Sequence, residues 1–171
     1  FVGTKDGKLF KVTNAEATPS ATNISGSSFP SGTISCVEIG ASEQNLLVTF
    51  SNYGVNSVWS TTDGGTTWLN KDNGTLPDMP IRWAIYNPND LKEVLLATEV
   101  GVWSTTDITV ASPTWAANNS GLSNARVDMF QYRSSDKMLI AATHGRGLFS
   151  SNVFSVVAPP AASVSITQTA G

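Results

Sequence analysis

At 171 residues, with 40% hydrophobic and only 13% charged side chains, the chain has the size of one ordinary domain and the composition of a globular one. A net charge of −3 offers no basic footprint, which argues against nucleic acid as a partner, and no apolar run nears the ~20 residues of a membrane-spanning helix. Ser and Thr together number 40, so the surface is expected to be polar through hydroxyls and amides rather than ions, as suits an extracellular β-protein.

The chain opens on FVGT, without an initiator Met and in what reads as the middle of a strand. It is therefore expected to be a piece of a longer precursor. From Phe1 the run FVGTKDGKLFKVT has three later counterparts: LLVTFSNYGVNSVWSTT from Leu46, VLLATEVGVWSTT from Val94 and LIAATHGRGLFSS from Leu139. Threonines 4, 49, 98 and 143 line up, as do the aromatics Phe10, Trp59, Trp103 and Phe149, at a period of about 46 residues. A further apolar strand precedes three of these runs: ISCVEI from Ile34, IRWAIY from Ile81 and VDMFQY from Val127. Cys36, the single cysteine, lies in the first of these. It can form no internal disulfide and is expected to be a buried, inert thiol.

In the second unit strand A is expected over Ile34 to Ile39, B over Leu46 to Phe50, C over Val58 to Thr62 and D over Thr66 to Leu69. Turn residues punctuate the runs at Asp6-Gly7, Asn73-Gly74, Asn87 to Asp90 and Ser134 to Asp136. Helical periodicity is absent. Four short strands in each unit of 40–50 residues is the pattern of a β-propeller blade. The expected fold is all-β: about three and a half four-stranded antiparallel blades over residues 1–157, with further blades upstream completing a larger ring. Residues 158–163 read as a Pro/Ala/Ser linker, and residues 164–171 as the start of a further β-domain.

Between strands C and D of the second unit lie Thr61, Asp63, Gly65, Thr67 and Trp68. They fit the pattern [ST]-x-D-x-G-x-T-W, which resembles the Asp-box of bacterial-neuraminidase-like (BNR) repeats. That resemblance implies a structural hairpin: the carboxylate takes backbone N–H groups of its own turn, and the indole packs between blades. The third unit keeps Thr105, Asp107, Thr114 and Trp115 with three residues inserted, and the first keeps only Val12-Thr13-Asn14. A calcium loop would need several alternating oxygen ligands and a distal Glu. Only Asp63 qualifies, so no metal and no cofactor are expected.

In an antiparallel meander the A–B and C–D turns share one face of the ring, and the B–C turns and D–A crossings share the other. In propellers the B–C/D–A face usually carries function. The B–C turns here are Lys5 to Gly7, Ser51 to Asn56, Glu99 to Gly101 and His144 to Gly147. Tyr53 and Asn52, an aromatic beside amides, suggest sugar stacking; Glu99, His144 and Arg146 are further candidate ligand contacts. The one histidine has no second zinc ligand and no nucleophile at a known spacing. The sequons at Asn23, Asn73 and Asn118 are as many as this composition gives by chance.

Asp-box propellers include sialidases, xyloglucan-active hydrolases and sortilin-like proteins. A sialidase needs three arginines for the substrate carboxylate. Arg82, Arg126, Arg133 and Arg146 do not map onto that triad; Arg82 and Arg126 are expected to hold similar places in their repeats, in a structural role. Carboxylates on the expected face are Asp6, Asp72, Asp78 and Glu99, the raw material of a glycosidase. The stretch ATHGRGLF resembles the closing blade of propellers in large secreted bacterial surface proteins, and SVSITQTAG the start of immunoglobulin-like modules in them. The resemblance implies an adhesive, multidomain protein exported by the type IX machinery. The expected function is a non-catalytic, secreted or cell-surface module binding glycan or protein through the B–C/D–A face. The alternative is part of a xyloglucanase-like glycoside hydrolase.

Overall fold

A computed structural model describes residues 1–72, 74–122 and 124–154. The expected linker and the start of a further domain, like Asn73 of the second sequon, lie outside the described residues. Within them the chain forms fourteen strands in four antiparallel sheets of three, four, four and three strands. That is three and a half blades, as the repeat predicts.

The first sheet is β1 (Val2–Gly3), β2 (Leu9–Thr13) and β3 (Ser20–Asn23), which correspond to strands B, C and D. The second is β4 (Ile34–Ile39), β5 (Leu46–Phe50), β6 (Val58–Thr61) and β7 (Leu69–Asn70). The third is β8 (Ile81–Asn87), β9 (Asp90–Thr98), β10 (Gly101–Thr105) and β11 (Ala116–Ala117). The fourth is β12 (Val127–Arg133), β13 (Met138–Thr143) and β14 (Gly147–Ser151), strands A to C. Strand D of the second blade is shorter and later than expected. Thr67 is held by Asp63, and the Trp68 ring turns inward, so the hairpin extends through Trp68 before pairing begins.

Successive side chains of a strand point to opposite faces, and in the middle blades both faces meet a neighbour. All five residues of β5 are therefore buried. Val48 joins Leu9, Phe50 and Trp59 against the first blade, while Leu47 joins Ile81, Leu96 and Trp115 against the third. Leu95, on the other face of β9 from Leu96, joins Phe130, Leu139 and Phe154 against the fourth. The core is thus three interblade layers rather than one centre. Cys36 is buried, with its thiol pushed up to about 12 by desolvation, which leaves it inert at ordinary pH.

Pairing corrects one expected anchor. Thr4, Thr98 and Thr143 are equivalent: each places its hydroxyl 2.7–3.1 Å from the carbonyl that opens strand C, at Lys8, Gly101 and Gly147. In the second blade that place belongs to Phe50, whose amide bonds the Ser57 carbonyl, and Thr49 lies one residue earlier, sharing a 2.8 Å hydrogen bond with Ser35.

Candidate functional site

Every complete A strand begins with an irregularity. Register shifts lie between Ile34 and Cys36, between Ile81 and Trp83, and between Val127 and Met129. A bulge re-aims the extra side chain, and here it re-aims Ser35, Arg82 and Asp128 at the B–C/D–A end. Ser35 Oγ donates to the Ile81 carbonyl of the next blade at 2.6 Å. Arg82 Nε likewise lies 4.0 Å from Asp128 of its next blade. Arg82 and Arg126 are therefore not equivalent, contrary to the sequence alignment; the counterpart of Arg82 is Asp128.

These bulges assemble a charge network across the third and fourth blades. Arg82 Nη2 donates to Glu99 Oε2 at 2.6 Å and Nε at 3.2 Å. Arg126 Nε donates to Asp128 Oδ1 at 2.6 Å, and His144 Nδ1 stands 3.7 Å from Asp128 Oδ2. The two carboxylates and two guanidiniums are about a third exposed or less, whereas His144 is 71% exposed. Of the sequence candidates, Glu99 and His144 are brought together here. Arg146 sits exposed at the tip of its turn, outside the network. Arg126 and Asp128, which complete it, carried no signal as a site because the bulge that aligns them is invisible in sequence.

The second blade builds a different arrangement at the same end. Its B–C loop, residues 51–57, is pinned from three sides. Asn52 Oδ1 accepts the Thr33 amide at 2.7 Å, Asp78 Oδ1 accepts the Gly54 amide at 2.7 Å, and Asp72 accepts the Ser57 amide. Between these anchors Tyr53 is 63% exposed. Asp72 and Asp78 share a groove with Val55, Asn56, Leu76 and Pro77. Burial raises the Asp72 pKa above the usual carboxylate range, the Ser57 amide lowers it, and the nearby Asp78 charge raises it further. Asn52, expected as a ligand contact, uses its amide oxygen to hold the loop. Asp6 is occupied locally, by the Thr4 hydroxyl at 2.5 Å and Lys8 at 3.2 Å.

At the opposite end lies the Asp63 hairpin. Asp63 Oδ1 accepts the Thr61 hydroxyl at 2.7 Å and the Thr67 amide at 2.9 Å, and Oδ2 accepts the Thr67 hydroxyl at 2.6 Å. These donors hold the carboxylate at about 2, the Thr67 hydroxyl contributing most. Gly65 has φ +95°, and a Cβ there would stand 2.9 Å from Ile24 Cβ; only glycine fits. Trp68 Nε1 then donates to the Ile24 carbonyl of the first blade at 2.9 Å, and its ring meets Phe29 edge-on. The carboxylate thus takes three hydrogen bonds from its own turn. Among the described residues no three His, Cys, Asp or Glu side chains converge as metal ligands.

No family model and no curated protein matches the sequence. Among solved structures, the β-propeller domain of Cps50 (Swd1) from Myceliophteria thermophila superposes with a TM-score of 0.58 at 15% identity, over 82% of this chain and 44% of that one. The GH74 enzyme of Niastella koreensis superposes with a TM-score of 0.50 at 17% identity, over 87% of this chain and 24% of that one. The chain therefore spans less than half of either neighbour. At such identities the likeness concerns fold alone. The strand order within the sheets, the interblade core and these neighbours together make the chain an all-β, partial β-propeller.

Proposed function

We propose that this partial propeller is a non-catalytic module of a secreted or cell-surface bacterial protein, binding glycan or protein through its B–C/D–A face, with glycan the leading ligand. The observation that carries this reading is Tyr53, 63% exposed on a loop fixed by Asn52, Asp72 and Asp78. An aromatic ring with an apolar face and a polar tip suits stacking on a sugar. A loop ordered before binding loses little entropy on binding. Glu99, His144 and Arg146, on the B–C turns of the third and fourth blades, are further candidate contacts on that face. In this account the Thr61–Trp68 hairpin is an Asp-box, and the protein is a type IX export cargo.

The test is a glycan array probed with the wild-type chain and with Tyr53→Ala. Tyr53→Ala should keep its thermal midpoint, because the ring is exposed, and lose the glycan signal. An unchanged signal would remove Tyr53 from the site.

A second reading rests on Asp72 and Asp78. Two carboxylates in one groove, one with a raised pKa, are the elements of general acid–base hydrolysis of a glycoside. The hydrogen bonds of both carboxylates to loop amides favour the binding reading, since each side chain already has a structural task.

A further inference from the structure

Lys71 follows β7 and is only 2% exposed. Its ammonium finds the carbonyls of Val110 at 2.7 Å and Thr109 at 3.5 Å, and among the described residues no carboxylate stands within ion-pair distance of it. A buried charge without a counter-charge is costly, so its presence asks for a reason. The fold does not supply one. Ile24, Lys71 and Asn118 hold the same place in three successive blades: each donates its amide to strand C, to Leu9, Val58 and Val102. Ile24 and Lys71 each also accept the indole N–H of the next blade's hairpin tryptophan, Trp68 and Trp115. Isoleucine and asparagine fill that place in the neighbouring blades, so the charge is peculiar to the second blade.

Beside Lys71 opens a cleft of about 470 Å³ between the second and third blades, on the A–B/C–D side. Leu69, Tyr86, Leu91 and Ile108 give it apolar walls, and Asp90 and Lys92 stand at its lining with Lys71. Burial lowers the Lys71 pKa while the field of Asp107 raises it. An ammonium has three donors, and two carbonyls accept from this one. We propose that the cleft is a second binding site, taking a small carboxylate with an apolar body, whose carboxylate pairs with the Lys71 ammonium. The ligand would supply the missing counter-charge in a desolvated setting, where charge-assisted hydrogen bonds are strongest. This site is separate from the Tyr53 face and does not depend on it.

Phenylacetate and its neutral isostere phenylacetamide probe the idea on the unmodified chain, by calorimetry and by the NMR position of the Trp115 indole N–H, which bonds the Lys71 carbonyl. The expected result is saturable binding of the acid, at least about tenfold tighter than the amide, with a shift of that resonance. In Lys71→Met the preference for the acid should vanish while the thermal midpoint holds or rises. Equal binding of acid and amide by the wild type, an unmoved Trp115 resonance, or an acid preference surviving in Lys71→Met would overturn the proposal. The comparison on the wild type decides the matter even if the variant fails to fold.

Discussion

The second and third blades are two versions of one sheet, and their differences lie in the turns. Both carry a tryptophan at the same place in strand C, Trp59 on β6 and Trp103 on β10. In the second blade the seven-residue B–C loop curls back and Asn56 offers its carbonyl to Trp59 Nε1 at 2.8 Å. In the third blade the B–C turn is only Glu99-Val100, and Trp103 Nε1 is buried with no acceptor among the described residues. The C–D hairpins differ likewise. Asp63 reaches Thr67 across a glycine turn, whereas Asp107 takes the amide and hydroxyl of Thr109 instead of Thr114. Yet Trp68 and Trp115 make the same interblade bond. The anchor between blades is kept, and the turn chemistry that delivers it is replaceable.

If the anchor is what matters, its loss should dominate. Trp115 is 3% exposed, so Trp115→Ala should cost about 3–5 kcal/mol in denaturant unfolding, as for other buried aromatics. Trp68, only half-buried, should cost about 2 kcal/mol less. Equal losses would mean that the two hairpins are anchored in different ways.

The strand-C pair gives a smaller contrast. Trp59→Phe should cost about 1 kcal/mol more than Trp103→Phe, because the first removes a satisfied hydrogen bond and the second an orphaned donor. Thermal midpoints of the two variants check this. A larger loss at Trp103 would show that its N–H has a partner in solution.

The least effect concerns acid. The folded pKa of Asp63, about 2, lies below the ordinary carboxylate value of ~3.9. Its stabilisation is therefore complete above about pH 4 and is lost as pH falls towards 2. Asp63→Asn should flatten the wild-type loss of stability over that window. Asp107→Asn should flatten it in the same direction, since the Thr109 hydroxyl and amide lower its pKa too. Both carboxylates are solvated, so salt should weaken the effect. A wild-type curve unchanged by Asp63→Asn would assign the acid loss elsewhere.

The ring architecture was legible because it rests on repetition. Apolar runs such as LLVTF and VLLAT recur with turn residues between them, and burial on both faces demands such runs. Register was less legible. Thr49 imitates Thr98 and Thr143 one residue too early, and sequence alone cannot show that Phe50 has replaced the threonine. The bulges hid the site: they make Arg82 the counterpart of Asp128 and bring Glu99 into contact with a residue of the next strand over. Asp72 and Asp78 were visible as carboxylates on the right face, but their grip on the Gly54 and Ser57 amides depends on how a distant crossing folds back. Lys71 carried no signal, since a lysine just past the expected end of strand D at Leu69 reads as surface.

The central claim is that the Tyr53 face binds without turnover, and one sample tests it. The chain is incubated with a xyloglucan oligosaccharide and followed by proton NMR, observing saturation transfer from protein to sugar together with the anomeric signals. The account predicts transfer to an oligosaccharide that stays intact. New reducing-end signals that disappear in Asp72→Asn would contradict it and make the groove of Asp72 and Asp78 an active site.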